Sequence, residues 1–143
     1  MYHKFSPKKP VHTFRDLDVY QKTLECSVLI VKDFRAPLLK LKYPFLENMQ
    51  NCAMTVPLLV AEAHSLRFAD FDRGVALLEN AMASCNKMVV YLEQARGMYG
   101  VKIPSELAED IIGRYAETRG KMFRLEKSWR RFKQEYPEGK FKT

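Results

Sequence analysis

The last third of the chain carries an apolar repeat that only a long helix satisfies. Leu107, Ile111, Tyr115, Thr118, Met122, Leu125, Trp129, Phe132 and Tyr136 follow one another in steps of 4, 4, 3, 4, 3, 4, 3 and 4. At about 3.6 residues per turn these positions share one helical face, whereas the two-residue period of a strand would scatter them over both sides. The steps approach a heptad repeat. At 1.5 Å per residue, the segment from Ser105 to Tyr136 spans roughly 48 Å. A helix of that length with one apolar stripe has to be covered along its length by other helices.

Three further segments supply them. Thr13 with Asp16 forms a capping-box pattern, and predicts a first helix from Phe14 to Phe34 with the stripe Leu17, Tyr20, Leu24, Val28, Val31 and Phe34. Pro37 and Pro44 bracket a connection. A second helix, Phe45 to Leu66, carries Met49, Cys52, Val56, Leu59, Ala63 and Leu66 on one face. Pro57 falls inside it. The stripe keeps its phase across that residue, which predicts a kink rather than a break. Asp70 caps a third helix, Phe71 to Arg96, ended by Gly97 and Gly100. This helix bears two adjacent stripes, one on Val75, Leu78, Met82, Cys85, Val89 and Leu92, the other on Leu77, Ala81, Ser84, Met88, Tyr91 and Ala95. So wide an apolar arc suits a central helix or one shared with another subunit. Leu77, Ala81, Met88 and Tyr91 are accordingly expected at an oligomer interface. Ser105 is placed to cap the fourth helix, with Glu106, Glu109 and Asp110 at the positive end of its dipole. No segment alternates over a strand's length. The expectation is an all-α, up-down-up-down four-helix bundle over residues 13–136, with a flexible basic arm over 1–12 and a loose tail over 137–143.

Within such a bundle the residues that do chemistry are scarce. Cys26, Cys52 and Cys85 are odd in number, far apart and on or beside apolar stripes, so they read as small buried hydrophobes. Of His3, His12 and His64, two lie in the arm, and no Glu-x-x-His pattern exists to build a di-iron centre. No Gly-rich phosphate loop is present. No cofactor and no metal site is expected. A hydrolase or nuclease using Glu62 and His64 is a remote alternative. No apolar stretch approaches the 18 residues of a membrane span, and the N-terminal MYHKFSPKKPVHT lacks the apolar run of a signal peptide. A cytoplasmic protein with no membrane partner is expected. Tyr115, Trp129, Phe132 and Tyr136 fall on the apolar stripe and read as packing rather than as a stacking platform.

Charge is the remaining signal. The formal net charge is +7 and the isoelectric point about 9.4. Residues 113–143 hold ten basic and four acidic groups, while residues 13–112 hold eleven basic and thirteen acidic ones. Lys121, Arg124, Lys127 and Arg131 fall within a sector of about 120° facing away from the apolar stripe, with Arg114 on or next to it; Arg130 completes the basic set. Such a ridge can meet successive phosphates, or can stand as a solvated face with Glu117 pairing to Lys121.

These residues also carry a resemblance. Phe14-Arg15-Asp16-Leu17-Asp18-Val19-Tyr20-Gln21-Lys22 and Val56-Pro57-Leu58-Leu59-Val60-Ala61-Glu62-Ala63 resemble the bacterial four helix bundle protein family, over most of the chain from Thr13 to Phe132. One branch of that family comprises proteins encoded by intervening sequences in 23S rRNA genes. The other comprises the accessory variability determinant of diversity-generating retroelements. Leu59 and Ala63 stand where the first branch usually has Asn and Gly, and the basic run Met122–Phe132 looks more like the second. The resemblance implies a homopentameric barrel with a basic surface and no enzymatic activity. On the favoured branch, it implies that RNA or DNA is bound and a reverse transcriptase is docked to assist cDNA synthesis. The alternative branch implies an rRNA- or ribosome-associated protein.

Overall fold

In a computed structural model of the chain, residues 10–136 are described. Most of the predicted arm, with Lys4, Lys8 and Lys9, and the predicted tail over 137–143 lie outside them. The described residues are all-helical: a 3₁₀ turn Phe14–Asp16, α1 Asp18–Leu29, a π turn Ile30–Phe34, α2 Arg35–Leu41, α3 Leu46–Leu66, α4 Phe71–Tyr99, a second 3₁₀ turn Gly100–Lys102, and α5 Ser105–Glu135. α1, the π turn and α2 form one uninterrupted helical run, which makes four long runs in all. α3 packs on α4 and α1, and α5 packs on α4 and α1, which closes the ring of a four-helix bundle. The connections over 42–45, 67–70 and 100–104 are short, so successive runs must turn back on one another.

Local chemistry accounts for the ends, and in four places corrects the expectation from sequence. The Thr13–Asp16 capping box forms, with Asp16 Oδ2 accepting from the Thr13 amide at 3.2 Å and the His12 amide at 2.9 Å. It caps the 3₁₀ turn, and α1 begins only at Asp18. Pro37 does not end the first run. It sits in the first turn of α2, where it has no N–H to offer the preceding turn, and the π turn directly upstream widens the helix where that bond is lost. The run ends instead at Lys42, which adopts the left-handed conformation at φ 62°. There the Tyr43 amide donates to Leu38 and the Lys42 amide to Leu39, the paired bonds of a Schellman stop. Tyr43 then donates its hydroxyl to Gln94 Oε1 at 2.9 Å and ties this connection to α4. α3 runs through Pro57 unbroken. Asp70 caps α4 by accepting from the Arg73 amide at 3.2 Å. That helix passes Gly97 and stops at Gly100, whose φ of 54° suits a residue without Cβ. Ser105 does not cap α5; its hydroxyl donates back to the Gly100 carbonyl.

Packing corrects two faces. On α1 the buried residues are Val19, Thr23, Cys26 and Ser27, continued by Ile30 and Phe34, whereas Leu24, Val28 and Val31 are exposed. Thr23 donates to the Val19 carbonyl at 2.8 Å and Ser27 to the Leu24 carbonyl at 2.7 Å, so these hydroxyls enter the core without losing a hydrogen bond. On α4 both stripes turn inward. Leu77, Ala81 and Met88 are buried in the chain's own core together with Leu78, Cys85 and Leu92. Tyr91 is half-buried on the wall of a polar groove that also holds Asn51, Thr55 and Lys87. A helix packed between α3 and α5 has two sides to bury, so the wide arc needs no second subunit. Each fully buried Leu or Met contributes roughly 1.5–3 kcal/mol of burial.

The centre of the bundle gathers the three thiols, one each from α1, α3 and α4, around Tyr115 of α5. Cys26 is pushed up to about 11 and Cys85 to about 12, mainly by burial. Tyr115 is raised for the same reason, and its hydroxyl has no partner among the described residues. No group of three His, Cys, Asp or Glu is arranged there, or elsewhere among the described residues, to hold a metal.

Candidate nucleic-acid interface

The basic residues of α5 divide along its length. Near its start, Arg114 donates to Asp110 at 2.9 Å and to Glu25 of α1 at 3.0 Å, and the Asp110 bond holds its guanidinium above its usual range. Lys121 reaches Asp18 at 2.7 Å and Glu117 at 3.9 Å. The acidic residues of α1 therefore face this stretch and neutralise it. Further on, Arg130 bonds Glu126 at 3.0 Å and lies 3.8 Å from Glu79. Arg124, Lys127 and Arg131 are exposed and form no ion pair among the described residues; Lys127 lies over the ring of Phe123, 5.6 Å from its centroid. Of six basic residues read from sequence as a nucleic-acid surface, three are committed to carboxylates and three remain available.

The available three lead toward a cleft of ≈ 190 Å³ at one end of the bundle, walled by Arg67, Phe68, Phe71, Trp129, Phe132 and Lys133, with Ser128 at its edge. Arg67 ends α3, Phe68 and Phe71 flank the turn between α3 and α4, and the other walls come from the last turns of α5. The corner is close-packed: a Cβ on Gly74 would stand 3.0 Å from the Arg67 Cα and 3.1 Å from the Ala63 carbonyl oxygen. Only glycine lets the start of α4 approach the end of α3 this closely, and that approach fixes where Arg67 and Phe68 emerge. Arg67 lies 4.2 Å from the centroid of Phe68, and Lys133 lies 5.3 Å from that of Phe71. Neither cation is ion-paired among the described residues. Phe68 and Phe132 have their centroids 5.7 Å apart, and Phe132 and Tyr136 theirs 4.6 Å apart.

Two ionisable groups are buried close to this end. His64 is only 6% exposed, with its ring centroid 6.4 Å from that of Trp129. Burial, then the charge of Arg67, lowers its pKa from 6.5 to about 4, so the ring is neutral at neutral pH. Glu126, next to Leu125 of the apolar stripe but not part of it, is buried on the core side of α5. Its Oε2 accepts from Arg130, and its Oε1 has no partner among the described residues. Hydrogen bonding with Glu126, then burial and the charge of that carboxylate, raise the pKa of Glu79, with Arg130 opposing.

Glu62 and His64 are not brought together: Glu62 is half-exposed and meets Arg73 at 3.4 Å, while His64 points inward. The aromatic residues also depart from expectation. Tyr115 is core, but Trp129 and Phe132 are half-buried on the cleft wall and Tyr136 is 42% exposed. The sequence reading missed Arg67, Phe68, Phe71 and Lys133. The available signal was Arg67-Phe68 and Phe71 crowding a turn at Asp70, where polar residues are the norm. Compared with known proteins, the chain matches no family model, no curated protein and no solved structure.

Proposed function

We propose that this chain is a non-enzymatic accessory protein that holds RNA or DNA on the last third of α5. The observation that carries the reading is the exposed set Arg124, Lys127 and Arg131, without an ion pair among the described residues, in a helix whose other basic candidates are occupied by carboxylates. Successive members of the set rise about 5 Å along the axis, so one face serves several phosphates without base recognition. The family resemblance supplies the protein partner, a reverse transcriptase whose cDNA synthesis the bound nucleic acid would serve.

Salt dependence tests the face. Each neutralised phosphate contributes about −0.9 to the log–log slope on duplex DNA and about −0.7 on a single strand. Arg124→Gln combined with Arg131→Gln flattens the slope by up to about two on duplex, and weakens binding evenly across sequences. Stability changes by no more than roughly 0.5 kcal/mol, because both residues are exposed. Equal slopes for wild type and variant, with the fold intact, overturn the reading.

The same resemblance implies five copies in a barrel. The surface we assign to that assembly is the exposed apolar ridge of α1, Leu24, Val28 and Val31, at 42%, 47% and 36% exposure. Their spacing by four and three makes one contiguous strip suited to burial against another chain. Light scattering is expected to return five times the 16.7 kDa chain mass. A monomer mass at micromolar concentration overturns the assembly.

A further inference from the structure

One ring of α5 has no packing reason for its place. Phe123 stands outside the apolar repeat, belongs to neither the buried core nor the residues packed against it, and is 50% exposed. Among the described residues its one contact with a ring or cation is Lys127, 5.6 Å from its centroid. Single exposed hydrophobic residues are common on proteins; the company of this one is not. Arg119, Phe123, Lys127 and Arg131 step by four, which makes one ridge along the helix with members about 6 Å apart in rise. Arg124 adjoins the ring in sequence. None of these four cations has an ion pair among the described residues. The surface beside the ring is also open. A Cβ on Gly120, three residues earlier, would meet only the Arg124 guanidinium, at 3.9 Å. Glycine within a helix costs stability relative to alanine, and here no close approach within the chain requires it, in contrast to Gly74.

We propose that Phe123 is the stacking platform for one unpaired base of a single-stranded nucleic acid whose phosphates lie on Arg119, Arg124, Lys127 and Arg131. The proposal rests on the nucleic-acid reading of α5 and narrows its ligand to a single strand. A base inside a duplex has both faces covered by its neighbours, so a duplex meets the ridge through phosphates alone. An unpaired base offers a face to an aromatic ring. Lys127 stands on one side of the Phe123 ring and leaves the other to the base, and its ammonium is placed to take the adjoining phosphate. The bare turn at Gly120 gives a flat body room beside the ring. Stacking tolerates every base, so little sequence preference is expected. The ring therefore adds strandedness, rather than sequence, to what the cations read.

The test titrates end-labelled oligonucleotides with the full chain and follows fluorescence anisotropy. The ligands are an oligouridylate of about twelve nucleotides, within the range that single-strand sites cover, an abasic oligomer of equal length and a blunt RNA duplex of equal length. Wild type is expected to bind oligouridylate about fivefold or more tighter than the abasic oligomer, the contribution of one stacked base. Phe123→Leu keeps an apolar side chain at an exposed position and should erase that difference. It lowers oligouridylate affinity by the same factor and leaves abasic and duplex affinities as they were, with circular dichroism confirming the fold. Phe123→Tyr keeps the ring and should bind oligouridylate as wild type does. A Phe123→Leu variant that binds all three ligands like wild type overturns the platform while the basic face stands, and leaves the ring to a protein partner. An equal loss on all three, or a Phe123→Tyr variant as weak as Phe123→Leu, also overturns it, because the ring would then not be reading a base. Binding of none of the three by wild type overturns the basic face and the platform together.

Discussion

The two halves of α5 carry similar basic residues and use them in opposite ways. In the first half, Arg114 and Lys121 lie against α1 and are held by Glu25 and Asp18. In the last third, α1 has no carboxylate bonded to Arg124, Lys127 or Arg131. What differs is the neighbour rather than the helix: the acidic residues of α1 fall at its start and middle, so the far end of α5 keeps its charge. Counting lysines and arginines therefore overstates the basic surface of a bundle, and the residues opposite decide what remains. The halves differ a second way, since ionisable groups of the far end are buried beside Trp129 and beneath Arg130.

The largest effect that would sharpen this contrast is a pH dependence confined to the far end. His64 titrates near 4 in the folded chain against an ordinary value of 6.5. Between those two values the unfolded chain takes up a proton that the folded chain refuses. Stability is therefore full above about pH 6.5 and falls as the pH is lowered toward 4, by up to about 3 kcal/mol. Urea unfolding at pH 7 and pH 4.5 should show this loss, and His64→Leu should reduce it. Moderate salt should leave it in place, because a buried group is weakly screened. An identical pH profile in wild type and His64→Leu would mean that His64 is not protected as described.

A smaller effect is expected from the near half. Arg114→Gln with Lys121→Gln removes ion pairs that are about a third to more than half exposed. Such pairs contribute roughly 0.2–1 kcal/mol each, less at high salt. Thermal unfolding at low salt should show a modest loss that shrinks as salt is added, while the salt slope of nucleic-acid binding stays at its wild-type value. A slope as flat as that of the Arg124/Arg131 variant would break the comparison, since the paired cations would then be binding phosphates too.

The architecture was legible because its signals are local. The α5 repeat, the Asp70 cap and the Thr13–Asp16 box each act within one or two turns. The continuity of α3 through Pro57 could be read from an unbroken stripe. The face of α1 could not. Its inward positions include Thr23, Cys26 and Ser27, which a hydrophobicity pattern discounts, and its outward positions are Leu24, Val28 and Val31, which the pattern selects. Hydroxyls satisfied by their own helix carbonyls invert the usual reading. The end of the first run was also hidden, because a π turn upstream lets Pro37 stay helical. The candidate interface was half legible: α5 was the right helix, but pairing across to α1 and the convergence of Phe68 and Phe71 on Trp129 and Phe132 depend on tertiary contacts that no single helix encodes.

The three cysteines have a practical consequence. All are buried, and burial pushes Cys26 to about 11 and Cys85 to about 12, with Cys52 also raised. Reagents that attack thiolates find almost none in the folded chain near neutral pH. A cysteine introduced at Val101, 96% exposed in the α4–α5 connection, would be the one site a maleimide dye modifies. A donor placed there, and an acceptor on an oligonucleotide, would measure how far along α5 the bound strand extends.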